Sequence, residues 1–444
     1  MAPKEIVRLK EHPRKNAQDD ETDLEELQKD TFGYFLQECD PSTGLVKDST
    51  KPGSTASVSV TGLAFSAFPV GVERGFIERD DALERVLTVL RFFRNSEQSA
   101  VPGATGFHGF YYHFLDSHSG KRAEECELSS IDTTLFIAGA LACACYFDGD
   151  NPREREVRES AEFLYHRVNW KWMQNGAELL SYGWKPESGF LEERWDGYCE
   201  AHLMYILALG SPTFPLPVST YKTWTDGFEW RTIYGYHYIH AGPLFIHQLS
   251  QLWLDLRGIR DELMRENNFD YYTNSCHAVH VQHEYAIRNP YHFEGYGEHC
   301  WGITACEGPG EETREVGGVL REFYAYDARG VPDGPDDGTI APWVAVTSLP
   351  FAPDIVLPTM HYYHRLSLSA RDSYGFRATF NPTYAEYEDE SWVCPWYYGL
   401  NQGPLVIMVE NYRTGFPWRL MKKCSAIITG LRKAGFTGGW LDEI

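Results

Sequence analysis

An all-α fold, built from paired helices, is what this amino-acid sequence predicts, and three observations predict it. Apolar residues recur at spacings of three and four in about twelve separate stretches, the period of helices with an inward face. Those stretches alternate in character. Some are rich in small apolar residues all round, such as SVTGLAFSAF and TTLFIAGALACACYF, and others are apolar on one face only. No sustained strand–helix–strand alternation interrupts them. Six alternating pairs of buried and amphipathic helices describe a closed (α/α)6 toroid, with an open superhelix of hairpins as the other arrangement of the same units.

Taken in order, residues 1–20 are charged and polar and read as a flexible N-terminal arm, leaving 21–444 as a single domain. An amphipathic helix comes next, from Asp23 to Cys39. The segment 54–75 is β-branched enough for a strand, but its small residues and closing glycine favour a buried helix. Arg79 to Ser96 is amphipathic, through Leu83, Val86, Leu87, Leu90 and Phe93. Alternating aromatics open 107–126, a hairpin turning at DSHSGKR. Ser129 or Ser130 then caps a buried helix running to Phe147, and a surface helix begins at Pro152. Residues 169–195 read as a Trp- and Gly-rich loop, 211–238 as an aromatic loop, and Ile239 to Leu256 as a helix that Gly258 ends. A long polar helix runs on to Asn289, and 289–338 is rich in loops. TIAPWVAVTSLPF, PDIVLPTMHYYHRL, NQGPLVIMVENYR and WRLMKKCSAIITGLRK supply the remaining helices, with loop or hairpin over 371–399.

Charge narrows the function. Lys and Arg total 40 against 63 Asp and Glu, a net −23. Nucleic acid and anionic membrane both call for basic surface, so neither is an expected partner. Aromatic residues make up 15% of the chain, with 13 Trp and 27 Tyr, enough to line a sugar-stacking site as well as a core. No apolar run reaches the ~18 residues of a membrane span, and the N-terminus has no apolar signal core. The expected location is therefore the cytoplasm, or the periplasm or exterior if a signal has been removed. The ten cysteines lack a CxxC pair and are expected reduced and mostly buried.

The residues that carry chemistry centre on WDGYCEAHLMYILALGSP (195–212). Leu203, Ile206, Leu207 and Gly210 mark a helix, with Glu200 in its first turn. A carboxylate there is stabilised by the helix dipole by roughly 0.3–1 kcal/mol, so a helix-starting acid is the plain reading. Trp184, Trp195 and Tyr198 upstream point elsewhere: an acid among aromatic faces suits sugar cleavage. ECELSSIDT places Glu127 and Asp132 at the entrance of another buried helix, where they either flank a serine cap or face a shared cleft. Glycoside hydrolysis needs such a carboxyl pair, held about 5 Å apart for retention and wider for inversion. GYGEHCWGITACEGPG (295–310) carries Glu298, Trp301 and Glu307 among five glycines, a permissive active-site loop without phosphate-loop spacing. His277, His280 and His283 are a surface stripe rather than a metal site. Asp333, Asp336 and Asp337 lack calcium-loop spacing and read as a turn. No cofactor or metal is expected.

These motifs, with VERG, FHGFYYHFLDSHSGKR, GPLFIHQLSQLWLDLRGI, DDGTIAPWVAVTSLPFAP and GLRKAGFTGGWL, stand in an order that resembles the glycoamylase-like family, which includes bacterial endo-β-1,2-glucanases. The resemblance covers about residues 25 to 441. It implies an (α/α)6 toroid and hydrolysis of β-1,2-glucan to sophorooligosaccharides. It implies Glu200 as general acid and Asp132 and Glu127 as acids near the cleft. Substrate contact is assigned to Trp195, Tyr198, Trp184, His108, Tyr111, Tyr296, Glu298, Trp301, Glu307, Asn401, Gln402, Glu410 and Arg413. One position departs: relatives read DQGP where this chain reads NQGP, beginning at Asn401. That aspartate is a candidate base in inverting members, and an amide cannot take a proton at neutral pH. The base is then Asp132 or Glu127, or the chain is a retaining transglycosylase, or it binds glucan without cleaving it.

Overall fold

A computed structural model describes residues 6–8, 20–366, 368, 373–385 and 390–444. The described residues form fifteen α-helices, three 3₁₀ turns and several small antiparallel sheets. The excess over twelve helices comes from short pieces such as Trp170–Gln174 and Glu262–Glu266. The chain packs as two compact units. One comprises Phe35–Glu229, Ser250–Tyr272 and Thr414–Ile444; the other comprises Met1–Tyr34, Trp230–Leu249 and Thr273–Arg413. Of the expected flexible arm, Ile6–Arg8 is a strand paired with Glu390–Val393, and the rest up to residue 19 lies outside the described residues.

In the first unit, the helix Val58–Glu73 is capped by Ser57, which accepts the Val60 N–H, and is buried from Val58 through Gly71. The strand reading of that stretch survives only as Ala56–Ser57. It packs on the buried helix Ser130–Tyr146. Gly62 and Gly139 make that approach possible, since a Cβ at Gly139 would overlap the Gly62 carbonyl oxygen. Arg79–Asn95 and Pro152–Arg167 pack together as amphipathic helices, joined across their exposed edge by Arg91 and Glu156 at 2.7 Å. His202–Gly210 is buried throughout and lies on Ser425–Lys433. A five-stranded antiparallel sheet, in the order Gly106–Phe107, Phe110–Tyr112, Leu128–Ser129, Gly183–Lys185, Gly189–Phe190, feeds directly into the Ser130 helix.

The second unit holds most of the helix Asp20–Gln37, together with Tyr271–Arg288, Pro342–Val346, Pro353–Arg365 and Gly399–Arg413. It also holds the hairpins Trp230–Ile233 with Tyr236–Ile239 and Glu312–Val316 with Val319–Phe323. Arg329 and Asp337 form a fully buried ion pair at 2.7 Å within it.

Several expected elements are corrected. Residues 169–195 are not a plain loop: they supply a short helix and the last two strands of the sheet. The stretch 211–238 contains the helix Val218–Asp226 as well as the Trp230 hairpin. The helix expected over 239–256 is absent. Pro243 disfavours a helical conformation for the residue before it, and the chain continues beyond it as two 3₁₀ turns, Leu244–His247 and Leu249–Leu252. The long polar helix begins only at Tyr271. Among the described residues no helix is long and apolar enough to cross a membrane. All ten cysteines are free thiols, six of them buried.

Candidate active site

The sheet and two buried helices of the first unit carry Glu127, Asp132 and Glu200, three of the acids singled out from the sequence. Ser129 ends a strand and caps the helix behind it. Its hydroxyl accepts the Asp132 N–H at 3.1 Å and donates to Asp132 Oδ2 at 2.5 Å, so the carboxylate is fixed in the first helical turn. One residue before the same strand, the Glu127 carbonyl accepts the His113 N–H at 3.0 Å. That backbone bond sets the side chains in register. His113 Nδ1 lies 3.1 Å from Glu127 Oε1, and Nε2 lies 3.6 Å from Asp132 Oδ1. The imidazole stacks on Phe114, with centroids 4.0 Å apart. Burial disfavours charge on the ring, but Asp132, Glu127 and Asp48 outweigh it and push the His113 pKa up to about 9. Burial likewise opposes ionisation of Glu127; the hydrogen bond and charge of His113, with Lys185, overcome it and hold that carboxyl below its ordinary value.

Glu200 feels the charge of Asp132, and its placement corrects the expectation. It lies in the turn before the helix, which begins at His202, rather than in the first helical turn. The cap residue Ala201 has no polar side chain to offer. Ser250 supplies the cap from outside: its hydroxyl donates to the Glu200 carbonyl at 2.8 Å and accepts the Leu203 N–H at 3.0 Å. Burial raises the Glu200 carboxyl to about 7; its own backbone N–H opposes the shift and the charge of Asp132 adds to it. Trp195 is locked nearby, donating its indole N–H to Ser130 Oγ at 2.8 Å. Tyr182, 39% exposed, stacks on Trp195 with centroids 4.0 Å apart and feels the Glu200 charge. The result is an open aromatic face beside an acid that can hold its proton near neutrality, and a pair of carboxylates bridged by a histidine.

The other assigned residues divide by surroundings. Tyr198 is half-buried against Phe228 and Tyr271. Trp184 and His108 join Phe107 and Trp172 in an aromatic cluster at the sheet. Tyr111 is corrected: it is fully buried between Phe93 and Phe136, its hydroxyl bonded to Arg167, and it serves the core. In the second unit, Trp301 is also a core residue, donating to Thr359 Oγ1 at 2.8 Å. Tyr296 is buried with its hydroxyl on Asp336 at 2.7 Å. Glu410 is buried and accepts from Gln28 at 3.2 Å. The Arg413 guanidinium is spent on Glu21, Glu25 and Gln28. These four, like Tyr111, hold structure rather than present open surface. Asn401 and Gln402 lie in the first turn of the helix Gly399–Arg413, both buried. Glu298 is exposed and Glu307 half-buried, and their backbone carbonyls accept from His283 and Thr379.

The histidine stripe is engaged locally: His280 stacks on Tyr236, and His277 meets the His237 carbonyl at 2.8 Å. Asp333 pairs with Arg231, Asp336 with two tyrosines and Asp337 with Arg329. Among the described residues no group of three or more His, Cys, Asp or Glu could hold a metal ion. His113, Tyr182 and Ser250 escape a reading of the sequence. FHGFYYHF shows an alternating strand, but only the pairing register places His113 opposite Glu127, and Ser250 is remote in sequence from the helix it caps.

Comparison with known proteins shows the family of the chain. The Glycoamylase family model, described as "Putative glucoamylase", matches residues 192–425. A crystal structure of that same description, from Bacteroides uniformis ATCC 8492, superposes with a TM-score of 0.84 at 30% identity, covering 96% of this chain and 100% of that one. The endo-beta-1,2-glucanase of Chitinophaga pinensis, solved with sophorotriose and glucose, superposes at 0.80 with 27% identity, covering 95% and 99%. The exo beta-1,2-glucooligosaccharide sophorohydrolase of Parabacteroides distasonis is 27% identical over 93% of this chain, which spans only 58% of that protein's length. The fold class is that of these structures, an (α/α)6 toroid with small antiparallel sheets.

Proposed function

The chain belongs to the Glycoamylase family, and from that premise we propose that it is a glycoside hydrolase cleaving β-1,2-glucan to sophorooligosaccharides by general acid–base catalysis. The observation that supports this reading is an acid at Glu200 whose proton is held near neutrality under the charge of Asp132, which His113 joins to Glu127. Glu200, protonated near neutral pH, donates to the departing glycosidic oxygen. Asp132 or Glu127, ionised, takes a proton from the attacking water or stabilises the oxocarbenium-like transition state. The Trp195–Tyr182 face supports stacking of a sugar ring beside Glu200. The β-1,2 linkage comes from the activities named for the relatives from Chitinophaga pinensis and Parabacteroides distasonis. A neutral glucan also suits a protein of net charge −23.

The NQGP departure at Asn401 supports a second reading, in which the chain transfers glycosyl units to another sugar rather than to water. One incubation with linear β-1,2-glucan, with chain-length analysis and NMR of the fresh anomer, separates the two. Shortened chains are the expected result. Redistributed lengths without net hydrolysis would establish transfer, and binding without any change would remove the enzymatic reading.

A further inference from the structure

His113 is lodged between the two carboxylates, and neither the plain capping role of Ser129 nor the acid role of Glu200 accounts for it. Its two ring nitrogens face different acids from different elements. Glu127 comes from the edge of the Leu128–Ser129 strand, and Asp132 from the first turn of the Ser130 helix. Asp48 adds a third negative charge from the segment before the Ala56–Ser57 strand, and Lys185, on the neighbouring strand, faces Glu127. Phe114, stacked on the ring, is neutral. Nδ1 is hydrogen-bonded to Glu127 Oε1 at 3.1 Å and Nε2 lies 3.6 Å from Asp132 Oδ1, so each ring nitrogen sits within ion-pair range of a carboxylate, a setting that favours the imidazolium.

We propose that His113 is a positioning residue that acts as an imidazolium clamp, holding Glu127 and Asp132 together as anions so that the proton of the site stays on Glu200. The assignment rests on the hydrolase reading for its effect on rate, but the clamp itself is a property of the charge cluster. Without the clamp, two carboxylates meet uncompensated. Like charges raise each other's proton affinity, so one of the pair would take up the proton that the chemistry needs elsewhere. At higher pH, where both carboxylates are ionised, the negative field at Glu200 would exceed that of the clamped pair. Removing the clamp therefore moves both limbs of the pH–rate profile to higher pH. The acid limb rises because the base is harder to ionise, and the alkaline limb rises because Glu200 is harder to deprotonate.

Two measurements on the full chain decide the matter. The first is NMR titration of the His113 ring, which needs no substrate. His113 is expected to titrate well above the ordinary imidazole range, and to fall back toward it in Glu127→Gln and Asp132→Asn. Titration of the wild-type ring near 6.5 would overturn the clamp. The second is the pH–rate profile of His113→Gln. Both limbs are expected to rise by about one pH unit, with a loss in kcat larger than any change in KM, and His113→Lys should return the limbs toward wild type by restoring the charge. A fall in kcat with unmoved limbs would mean a merely structural histidine. If His113→Gln does not fold, the wild-type titration still decides. If the wild-type protein leaves β-1,2-glucan intact while the ring titrates as expected, the hydrolase reading fails and the clamp stands.

Discussion

At Glu200 two forces compete, and their balance decides whether the residue is a structural acid or a proton donor. A helix N-terminus favours the carboxylate. The structure sets Glu200, half-buried, ahead of the first helical residue and under the charge of Asp132, and desolvation wins, raising the carboxyl to about 7. Glu200→Gln keeps the shape and removes the proton. It is expected to lose roughly 10²–10⁴-fold in turnover on natural glucan, and to recover much of it on a substrate whose leaving group needs no protonation. Near wild-type cleavage of the natural substrate would return Glu200 to a structural role. The same shift has a stability signature. The folded state holds this proton more tightly than the unfolded chain, so between the ordinary value of 4.5 and about 7 folding takes up a proton, and stability falls as pH rises through that window. Glu200→Gln lacks this loss. Its Tm relative to wild type should climb from pH 4 to pH 8, as thermal melts at both pH values will show. Asn401 is the complementary test at this scale. It is buried in the first turn of its helix and cannot serve as a base. Asn401→Asp is expected to change the rate or the anomer of the product while the far-UV spectrum stays the same; an unchanged rate and anomer would show the position to be non-catalytic.

At the scale of elements, the site depends on how the Ser130–Tyr146 helix is started and seated. The Ser129 hydroxyl both caps that helix and bonds Asp132. Ser129→Ala should cost about 1 kcal/mol of stability from the lost cap and lower kcat as well, whereas Ser129→Thr should retain most of both. Denaturant melts with parallel kinetics will check this. The seating is set by glycine. Alanine is the better helix former in isolation, yet at Gly139 its Cβ meets the Gly62 backbone rather than a side chain that could swing away. Gly139→Ala is therefore expected to destabilise by about 1–3 kcal/mol, the usual cost of overpacking a tight interface. A neutral or stabilising result would show that the two helices can separate at no cost.

For the molecule as a whole, composition already limits the partners. A net charge of −23 repels polyanions, and the described residues offer no cluster suited to a metal. Activity on glucan is accordingly expected to persist in EDTA; a loss that zinc or calcium restores would reveal a metal requirement. The two compact units are each assembled from three separate stretches of chain, so the sequence could not mark their borders by any linker. Family resemblance, by contrast, ran along nearly the whole chain, and the superposed structures cover 95–96% of it.

Helix periodicity, the alternation of small-residue and amphipathic segments, a serine cap at 129 or 130 and the acids Glu127, Asp132 and Glu200 were all legible in the sequence. Each is a local property: spacing, a capping residue, a carboxylate at a helix entrance. What only the tertiary structure decided is long-range. The register that sets His113 against Glu127, the cap Ser250 lends to the Glu200 helix, and the stacking of Tyr182 on Trp195 join residues whose partners no local pattern names. Tyr111 and Trp301 were misassigned for the same reason. An aromatic ring looks alike in sequence whether it faces a sugar or a core, and only burial tells which.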